Sequence, residues 1–254
     1  MRPDAPQTLY KYRSLGGEFG REAVREAIEN SRLYWQHPTD FNDPFDCNPR
    51  FIFGTSPQGR KRYARRVARE RFAHLERSQR RKAVRGASGL SEEHARATVK
   101  ATISKLVVTC FSKKHDCPLM WGHYADKHTG VALVFRETID PVPFLAFDVI
   151  YRDERPVVDV TIINETVGDF YNDTILTKAH CWEYEQECRM VEHQMDAGYH
   201  RFPTMNLTGV ILGARMTDGD REFVMNLARL RKAPLALYQA SIDEELYAIN
   251  VSPF

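Results

Sequence analysis

Short apolar runs rich in β-branched residues constrain the fold of this chain more than any other feature. Three of them are LVVTCF (106–111), GVALVF (130–135) and LTGVIL (207–212). Runs of this length and composition are typical of buried strands. We therefore expect a β-rich core, to which further strands are added at 9–13, 33–35, 144–151, 157–163, 185–191 and 234–238.

Helical patterns separate these strands. Val24 and Ile28, one turn apart, indicate a helix over 18–30. Further helices are expected at 60–85, from Ser91 (a capping residue), at 165–179 and at 218–231. The predicted fold class is α+β, with mixed or antiparallel split β-sheets forming a central cleft. The predicted organisation is a single domain over 1–254, with 55–104 as an Arg-rich helical insertion.

Composition excludes several classes. Apolar residues make up 43% and charged residues 28% of the chain, which is ordinary for a globular protein and excludes collagen and long disorder. No apolar run approaches the roughly 18 residues of a membrane span, and the N-terminus shows no secretory signal. Five cysteines have no framework spacing. We therefore expect a cytoplasmic protein with reduced thiols and no membrane partner.

The charge distribution points to one kind of partner. Residues 60–85 hold twelve lysines and arginines against two glutamates, a local net charge of +10 in a chain whose total is +2. Such a helix neutralises phosphates. Arg62, Arg65, Arg66 and Arg69 are the candidate nucleic-acid contacts. The alternative is a solvated helix face.

Polar and aromatic residues gather in two places near the N-terminus. In YKYR (10–13), Lys11 and Arg13 share one strand face, which suits a phosphate or carboxylate. The alternative is an edge strand guarded by cations. In FNDPFD (41–46), Asn42 and Asp43 precede Pro44 and form either a rigid loop at the rim of a pocket or a simple Asx-capped turn.

Two further clusters lie later in the chain. CFSKKHDCPLMWGHYAD (110–126) ends a strand at Ser112 and then carries His123 and Tyr124 on a short helix. Its cysteines and histidines match no zinc motif, so no metal is expected. In KAHCWEYEQECR (178–189), a strand starting near Trp182 would place the glutamates at 183, 185 and 187 on one face, where Arg189 can pair with one of them.

In this order, the four clusters resemble an uncharacterised bacterial family, the domain-of-unknown-function family 2971. The resemblance runs through LYKYR (9–13), LYWQHPTDFNDPFD (33–46), VTCFSKKHDCPLMWGHYADKHTGVALVF (108–135) and KAHCWEYEQECRMV (178–191). It covers most of the chain apart from 55–104 and the last 40 or so residues. The most specific motifs of this resemblance are FNDPFD, MWGHYAD and W-x-Y-E-x-E-x-R.

The order of a strand-borne cation, a serine at a strand end and a later Glu-x-Glu also looks like the Arg–Ser–Glu layout of ADP-ribosyltransferases. The resemblance implies that Arg13 or Lys11 holds the pyrophosphate of NAD. It implies that Ser112 occupies the Ser-Thr-Ser position, although the motif here is Cys-Phe-Ser. Glu187 would then be the catalytic acid at the nicotinamide ribose, with Glu185 orienting or deprotonating the acceptor.

This chemistry is coherent, because a carboxylate that bonds the ribose 2′-hydroxyl stabilises the positive charge of the transition state. Tyr34, Trp35 or Tyr124 would sandwich the nicotinamide, and His123 joins the candidate catalytic residues. The leading hypothesis is an ADP-ribosyltransferase-like enzyme that uses NAD, acting as a bacterial toxin or phage-defence effector on nucleic acid or protein.

Two alternatives stay open. One is a nucleic-acid-binding protein or a nuclease that binds Mg²⁺ through Asp43, Asp46, Glu185 and Glu187. The other is a non-catalytic module that senses a ligand or binds a partner at Trp121, His123 and Tyr124.

Overall fold

The computed structural model of the chain describes residues 6–54, 57–86, 92–160, 167–193 and 195–254. In this part the chain is a mixed α and β protein with several helices and one large mixed sheet. The helices are α1 (Gly17–Ile28), α2 (Pro57–Arg71), α3 (Arg77–Gly86), α4 (Glu92–Ile103), α5 (Pro118–Tyr124), α6 (Val167–Thr174) and α7 (Asp218–Leu230).

The strands follow the apolar runs. The first seven are β1 (Thr8–Arg13), β2 (Arg32–Trp35), β3 (Arg50–Ile52), β4 (Val107–Ser112), β5 (Val131–Arg136), β6 (Phe147–Asp148) and β7 (Ile150–Arg152). The next seven are β8 (Val157–Asp159), β9 (Thr177–Ala179), β10 (Glu187–Glu192), β11 (Gly198–Arg201), β12 (Leu207–Leu212), β13 (Ala236–Ile242) and β14 (Ile249–Pro253). The strands predicted at 106–111, 130–135 and 207–212 are confirmed as β4, β5 and β12.

The large sheet has the order β14-β13-β12-β5-β1-β4-β10-β6. Strands β12 and β13 pair in parallel, and the other neighbours in this sheet are antiparallel. Three two-stranded sheets accompany it: β11-β2, β3-β8 and β7-β9. A mixed sheet with helices is therefore confirmed.

The chain divides into two compact units. The first comprises Met1–Gln36, Val107–Val149 and Cys181–Phe254, and holds the large sheet with β2 and β11. The second comprises His37–Leu106 and Ile150–His180, and holds α2, α3, α4 and α6. The second unit contains the predicted insertion 55–104 together with chain on both sides of it. The prediction of a single domain stays a prediction.

The two faces of the large sheet pack against different helices. On one face, Phe111 and Leu133 pack in a core with Val24 of α1 and Val224 of α7. We call this the α1 face. On the other, Tyr12 and Ala132 pack with Trp121 of α5, and we call this the α5 face.

Strand register decides which face each polar residue occupies. Tyr10 lies opposite Ser112, and Ser112 lies opposite Glu187, so these three side chains share the α5 face. Lys11 and Arg13 alternate with Tyr10 and Tyr12 along β1 and therefore lie on the α1 face.

Two sequence predictions of continuous elements are wrong. The expected strand 144–151 is two short strands, because β6 pairs with β10 whereas β7 pairs with β9. The expected helix 165–179 ends at Thr174, after which β9 forms, because Ile175 and Thr177 favour extended backbone. Positions 165 and 166 lie outside the described residues.

Two other boundaries differ. Residues His180–Glu185 form a 3₁₀ turn, so the strand predicted to start near Trp182 begins at Glu187, after Gln186 at a left-handed φ of 42°. The Arg-rich helix is broken into α2 and α3 between Arg71 and Arg77. The Ser91 cap and positions 161–163 of the expected strand 157–163 fall outside the described residues.

Candidate functional site

A polar cluster lies on the α5 face, where β4 ends and β10 begins. Ser112 is 1% exposed, and its hydroxyl donates a hydrogen bond to the backbone oxygen of Glu185 at 2.6 Å. The backbone amide of Lys114 donates to the same hydroxyl at 3.0 Å. Ser112 therefore holds the loop after β4 against the 3₁₀ turn that carries Glu185.

A buried ion pair belongs to the same cluster. Arg189 is 0% exposed, and its Nε and a terminal nitrogen donate to the two carboxylate oxygens of Glu187 at 2.7 and 3.0 Å. The two residues are i and i+2 on β10, which puts both side chains on one face, as the sequence predicts for Arg189. Burial and the nearby Glu187 carboxylate raise the pKa of the Cys110 thiol well above its usual range, so this cysteine stays protonated.

Glu185 is held differently. The phenol of Tyr124 donates a hydrogen bond to Glu185 Oε1 at 2.7 Å. Glu185 is 3% exposed, whereas Tyr124 is only half-buried. Helix α5 is fixed by the buried Trp121, whose indole nitrogen donates to the backbone oxygen of His115 at 2.7 Å. Tyr124 thus forms the accessible edge of a carboxylate–phenol pair.

Two further rings lie beside this pair. The His123 ring is exposed, and its centroid lies 6.3 Å from that of Tyr124 and 6.4 Å from that of Tyr184. Tyr184 is a residue that sequence reasoning missed; its place in Trp-x-Tyr-Glu, next to Glu185, was the available signal. We call Ser112, Tyr124, Glu185, Glu187 and Arg189 the α5-face cluster.

The structure places Lys11 apart from this cluster, on the α1 face. Its Nζ donates to Thr109 Oγ1 at 2.8 Å and to the backbone oxygen of Cys110 at 2.7 Å, and it lies 5.0 Å from the centroid of the Phe111 ring. Burial, and secondarily Arg13, lower the pKa of Lys11 to about 7. Lys11 has neutral oxygen partners and no carboxylate partner among the described residues.

Arg13 and the aromatic residues of β2 lie on the α1 face or next to it. Arg13 is partly exposed, and burial lowers its pKa. The Tyr34 ring contacts Tyr199 and Phe19 edge-to-face, with centroid distances of 5.1 and 5.4 Å. Trp35 is buried in the core of the α1 face and presents no open ring face. The structure therefore does not bring Lys11 and Arg13 together with Ser112 and Glu187.

In the second unit, the FNDPFD loop borders a cavity of about 270 Å³. Asp43 lines this cavity and also accepts a hydrogen bond from the Phe45 amide at 2.9 Å, an Asx turn. Asn42 is exposed. The cavity is lined by Pro38, Thr39, Phe41, Asp43, Pro44, Asp46, Cys47, Asn48, Phe51, Lys100 and Ile103. Both predictions for this loop, an Asx turn and a pocket rim, describe Asp43.

The basic helices of the second unit expose most of their cations. Arg62, Arg65 and Arg69 are exposed, and the Arg66 guanidinium lies 5.3 Å from the centroid of the buried Tyr63 ring. The buried Tyr63 therefore anchors α2, and Arg66 lies over its ring.

Three findings concern metal ligands, membrane-spanning helices and disulfide bonds. Among the residues that the structure describes, no group of three or more His, Cys, Asp and Glu side chains is arranged to hold a metal ion. No helix in the described ranges is long and apolar enough to cross a membrane. None of the five cysteines, all of which lie in the described part of the chain, forms a disulfide bond.

Comparisons with known proteins add one finding. No curated protein and no solved structure matches the chain significantly. The stretch from α5 to β10 carries Tyr124, Glu185, Glu187 and Arg189 of the α5-face cluster. Residues 120–190 match the model of a family described as a protein of unknown function (DUF2971), which confirms the family resemblance predicted from the sequence.

Proposed function

We propose that this chain is an ADP-ribosyltransferase-like enzyme that uses NAD as its donor, with the α5-face cluster as its active centre. The observation that carries the proposal is the hydrogen bond of 2.7 Å between the half-buried Tyr124 phenol and the buried Glu185 carboxylate. A carboxylate held in a low-dielectric site beside an accessible phenol suits a reaction that develops positive charge on a sugar.

Glu185 and Glu187 have different hydrogen-bond partners, and we assign them different roles. Both oxygens of Glu187 are bonded by the Arg189 guanidinium, so its charge is compensated inside the protein. Glu185 accepts a hydrogen bond from Tyr124, the accessible member of that pair. The ribose 2′-hydroxyl would donate to Glu185 as the bond to nicotinamide breaks. We therefore assign the ribose contact to Glu185, in place of Glu187.

The remaining residues of the centre position this carboxylate. Ser112 fixes the Glu185 backbone, and Arg189 holds Glu187 at the start of β10. The exposed His123 ring and the Tyr184 ring offer faces for the nicotinamide. We assign no pyrophosphate contact to Arg13 or Lys11, because they lie on the α1 face. A cleft between split sheets, as in ADP-ribosyltransferases, remains part of the proposal.

The proposed setting is the bacterial cytoplasm, where the enzyme would act as a toxin or antiviral-defence effector on a nucleic-acid or protein acceptor. The effector role rests on the sequence resemblance, and the cytoplasmic setting rests on the composition and on cysteines without framework spacing.

The test is nicotinamide release from NAD by the purified full chain, with water or an added nucleic-acid or protein acceptor taking the ADP-ribosyl group. We expect Glu185→Gln to lower the rate by about 10²- to 10³-fold, because it removes the charge that stabilises the transition state. Glu192→Gln, at the exposed end of the same strand, is the matched control and should keep the wild-type rate. Absence of both turnover and NAD binding in the wild type, or an active Glu185→Gln enzyme, would refute the proposal.

A second candidate function, nucleic-acid binding, is favoured by the exposed cations of α2 and α3. Because few acids interrupt them, binding to a fluorescein-labelled DNA duplex should weaken steeply with salt. The logarithm of the binding constant should fall linearly with the logarithm of the salt concentration. Replacing Arg62, Arg65 and Arg69 together by Gln should reduce the magnitude of this negative slope by about 2 to 3. A salt slope unchanged by the triple substitution would remove this candidate.

A further inference from the structure

The FNDPFD loop of the second unit borders a cavity that the proposed function does not use. The cavity measures about 270 Å³, and its wall comes from residues 38–48, from Phe51 of β3, and from Lys100 and Ile103 in the last turn of α4. The α5-face cluster lies in the first unit and shares no residue with this wall. The cavity is therefore a candidate site for a separate ligand.

Hydrogen bonds within the second unit fix the loop in place. The Asp43 carboxylate accepts from the Phe45 amide at 2.9 Å, and the side-chain amide of Asn48 donates to the backbone oxygen of Pro44 at 3.1 Å. Arg155 Nε donates to the backbone oxygen of Asn48 at 3.0 Å. A loop held in this way keeps the wall residues in position, so a ligand does not have to order them on binding.

Part of the cavity wall is apolar. Phe51 and Ile103 are each 5% exposed, and Phe41 is half-buried. Pro38 and Pro44 also line the cavity. A recess among such side chains favours a ligand with an apolar group, because that group leaves water when it binds.

The charged side chains of the wall have opposite signs. Asp46 faces a cation, because Lys178 Nζ lies 3.9 Å from its carboxylate and both side chains are buried. The other two charged groups of the wall are the half-buried Asp43 and the exposed Lys100. A ligand with both charges can place each one beside an opposite charge. The wall therefore suits a zwitterion better than an ion of one sign.

The size of the cavity limits the ligand. Pockets for drug-sized ligands measure roughly 300 to 1,000 Å³, so a cavity of about 270 Å³ takes only a small molecule. A dinucleotide such as NAD is too large for it. A free amino acid with a large apolar side chain joins an ammonium, a carboxylate and an apolar group on a skeleton of suitable size.

We propose that this cavity is a binding site for a free amino acid with a large apolar side chain. Asp43 receives the ammonium group of the ligand, and Lys100 receives its carboxylate. Phe41, Phe51 and Ile103 pack against its side chain. Binding at this site does not depend on the proposed enzymatic activity.

The experiment is calorimetric titration of the full chain with phenylalanine, whose ring suits a wall that contains Phe41 and Phe51. Two analogues each lack one charged group: 3-phenylpropanoate has no ammonium, and phenethylamine has no carboxylate. We expect phenylalanine to bind with a Kd below about 1 mM, and both analogues to bind at least about tenfold more weakly. Glycine, which lacks the apolar side chain, should not bind at the same concentrations.

A substitution of Lys100 tests the carboxylate contact. Lys100→Gln should weaken phenylalanine binding at least about tenfold and abolish the preference for phenylalanine over phenethylamine, which has no carboxylate to lose. Because Lys100 is exposed, the variant should fold normally, and circular dichroism checks this. Lys105→Gln, at an exposed lysine outside the cavity wall, is the matched control and should bind like the wild type.

A substitution of Asp43 tests the ammonium contact. Asp43→Asn keeps a side-chain oxygen for the Phe45 amide, so the turn is retained. It should weaken phenylalanine binding at least about tenfold and abolish the preference for phenylalanine over 3-phenylpropanoate. Asp40→Asn, at an exposed acid outside the cavity wall, is the matched control.

This proposal and the proposed function can fail separately. Glu185→Gln should bind phenylalanine like the wild type, whatever it does to nicotinamide release. The proposal is overturned if the wild type does not bind phenylalanine, or if either analogue binds as tightly as phenylalanine. It is also overturned if folded Lys100→Gln or Asp43→Asn protein binds phenylalanine as tightly as the wild type.

Discussion

On the α5 face the buried polar groups of Glu185, Glu187 and Arg189 are joined to one another or to Tyr124, whereas on the α1 face Arg13 and the Tyr199 hydroxyl have no hydrogen-bond partners among the described residues. Both faces belong to the same sheet and pack against apolar cores of comparable character. The two sets of groups also differ in burial, since Glu185, Glu187 and Arg189 are at most 5% exposed whereas Arg13 and Tyr199 are partly exposed.

This difference suggests separate roles. A compensated cluster is stable without a ligand and can hold a carboxylate at a fixed position, which catalysis requires. Arg13 and the Tyr199 hydroxyl have no such hydrogen bonds among the described residues, so hydrogen bonds do not fix their positions. We therefore expect substitutions on the two faces to change stability differently, with the largest change on the α5 face.

Breaking the buried ion pair should have the largest effect. Arg189→Met leaves the Glu187 carboxylate buried without its guanidinium, so we expect the free energy of unfolding to fall by about 3 to 5 kcal/mol in urea titrations. Adding Glu187→Gln to this variant should recover much of the loss. Arg229→Met, at an exposed position, is the control; an equally stable Arg189→Met protein would show that the pair does not compensate buried charge.

A pH-dependent effect is expected for Lys11. The folded-state pKa of about 7 lies below the ordinary value of 10.5, so between these values the unfolded chain binds more protons, and stability should rise with pH. The slope from this one group is at most about 1.4 kcal/mol per pH unit. Lys11→Met should abolish it, so the gain in stability from this substitution should be largest at pH 7 and shrink towards pH 10. If the free energy of unfolding changes with pH in the same way for the wild type and for Lys11→Met, the lowered pKa of Lys11 is contradicted.

The smallest effect is expected for Tyr199. Removing an unsatisfied buried hydroxyl by Tyr199→Phe should raise the free energy of unfolding by about 1 kcal/mol in the absence of ligand. Tyr247→Phe, at a fully exposed ring, should change nothing. A destabilised Tyr199→Phe protein would indicate a partner for this hydroxyl and would weaken the contrast between the two faces.

Local pattern was enough to predict much of the large sheet. The runs that form β4, β5 and β12 are apolar on both faces, so their composition alone predicts that they are buried. Helices α1 and α7 carry an apolar stripe that the helical period reveals. The prediction failed where neighbouring strands pair with different partners. The segment 144–151 is split because its two halves pair with different strands, and the periodicity of the sequence does not indicate a change of partner.

The candidate site was predicted in part. Ser112, Tyr124, Glu185 and Glu187 were identified by residue type and motif, and the pairing of β4 with β10 places Ser112 opposite Glu187. The assumption that Glu185 and Glu187 share one face of a single strand was wrong, because the left-handed Gln186 follows a 3₁₀ turn and β10 begins only at Glu187. The hydrogen bond between Tyr124 and Glu185 depends on where α5 packs, which sequence spacing does not specify.

The amino-acid sequence by itself determined which segments are apolar strands and amphipathic helices, where the cations concentrate, and which family resemblance the motifs carry. Only the tertiary structure decided that Lys11 and Arg13 face away from Ser112 and Glu187. The physical reason is that side chains alternate along a strand, so a shift of one residue in pairing moves a group to the opposite face. The register of strand pairing comes from long-range packing and hydrogen bonding, and local composition does not specify it.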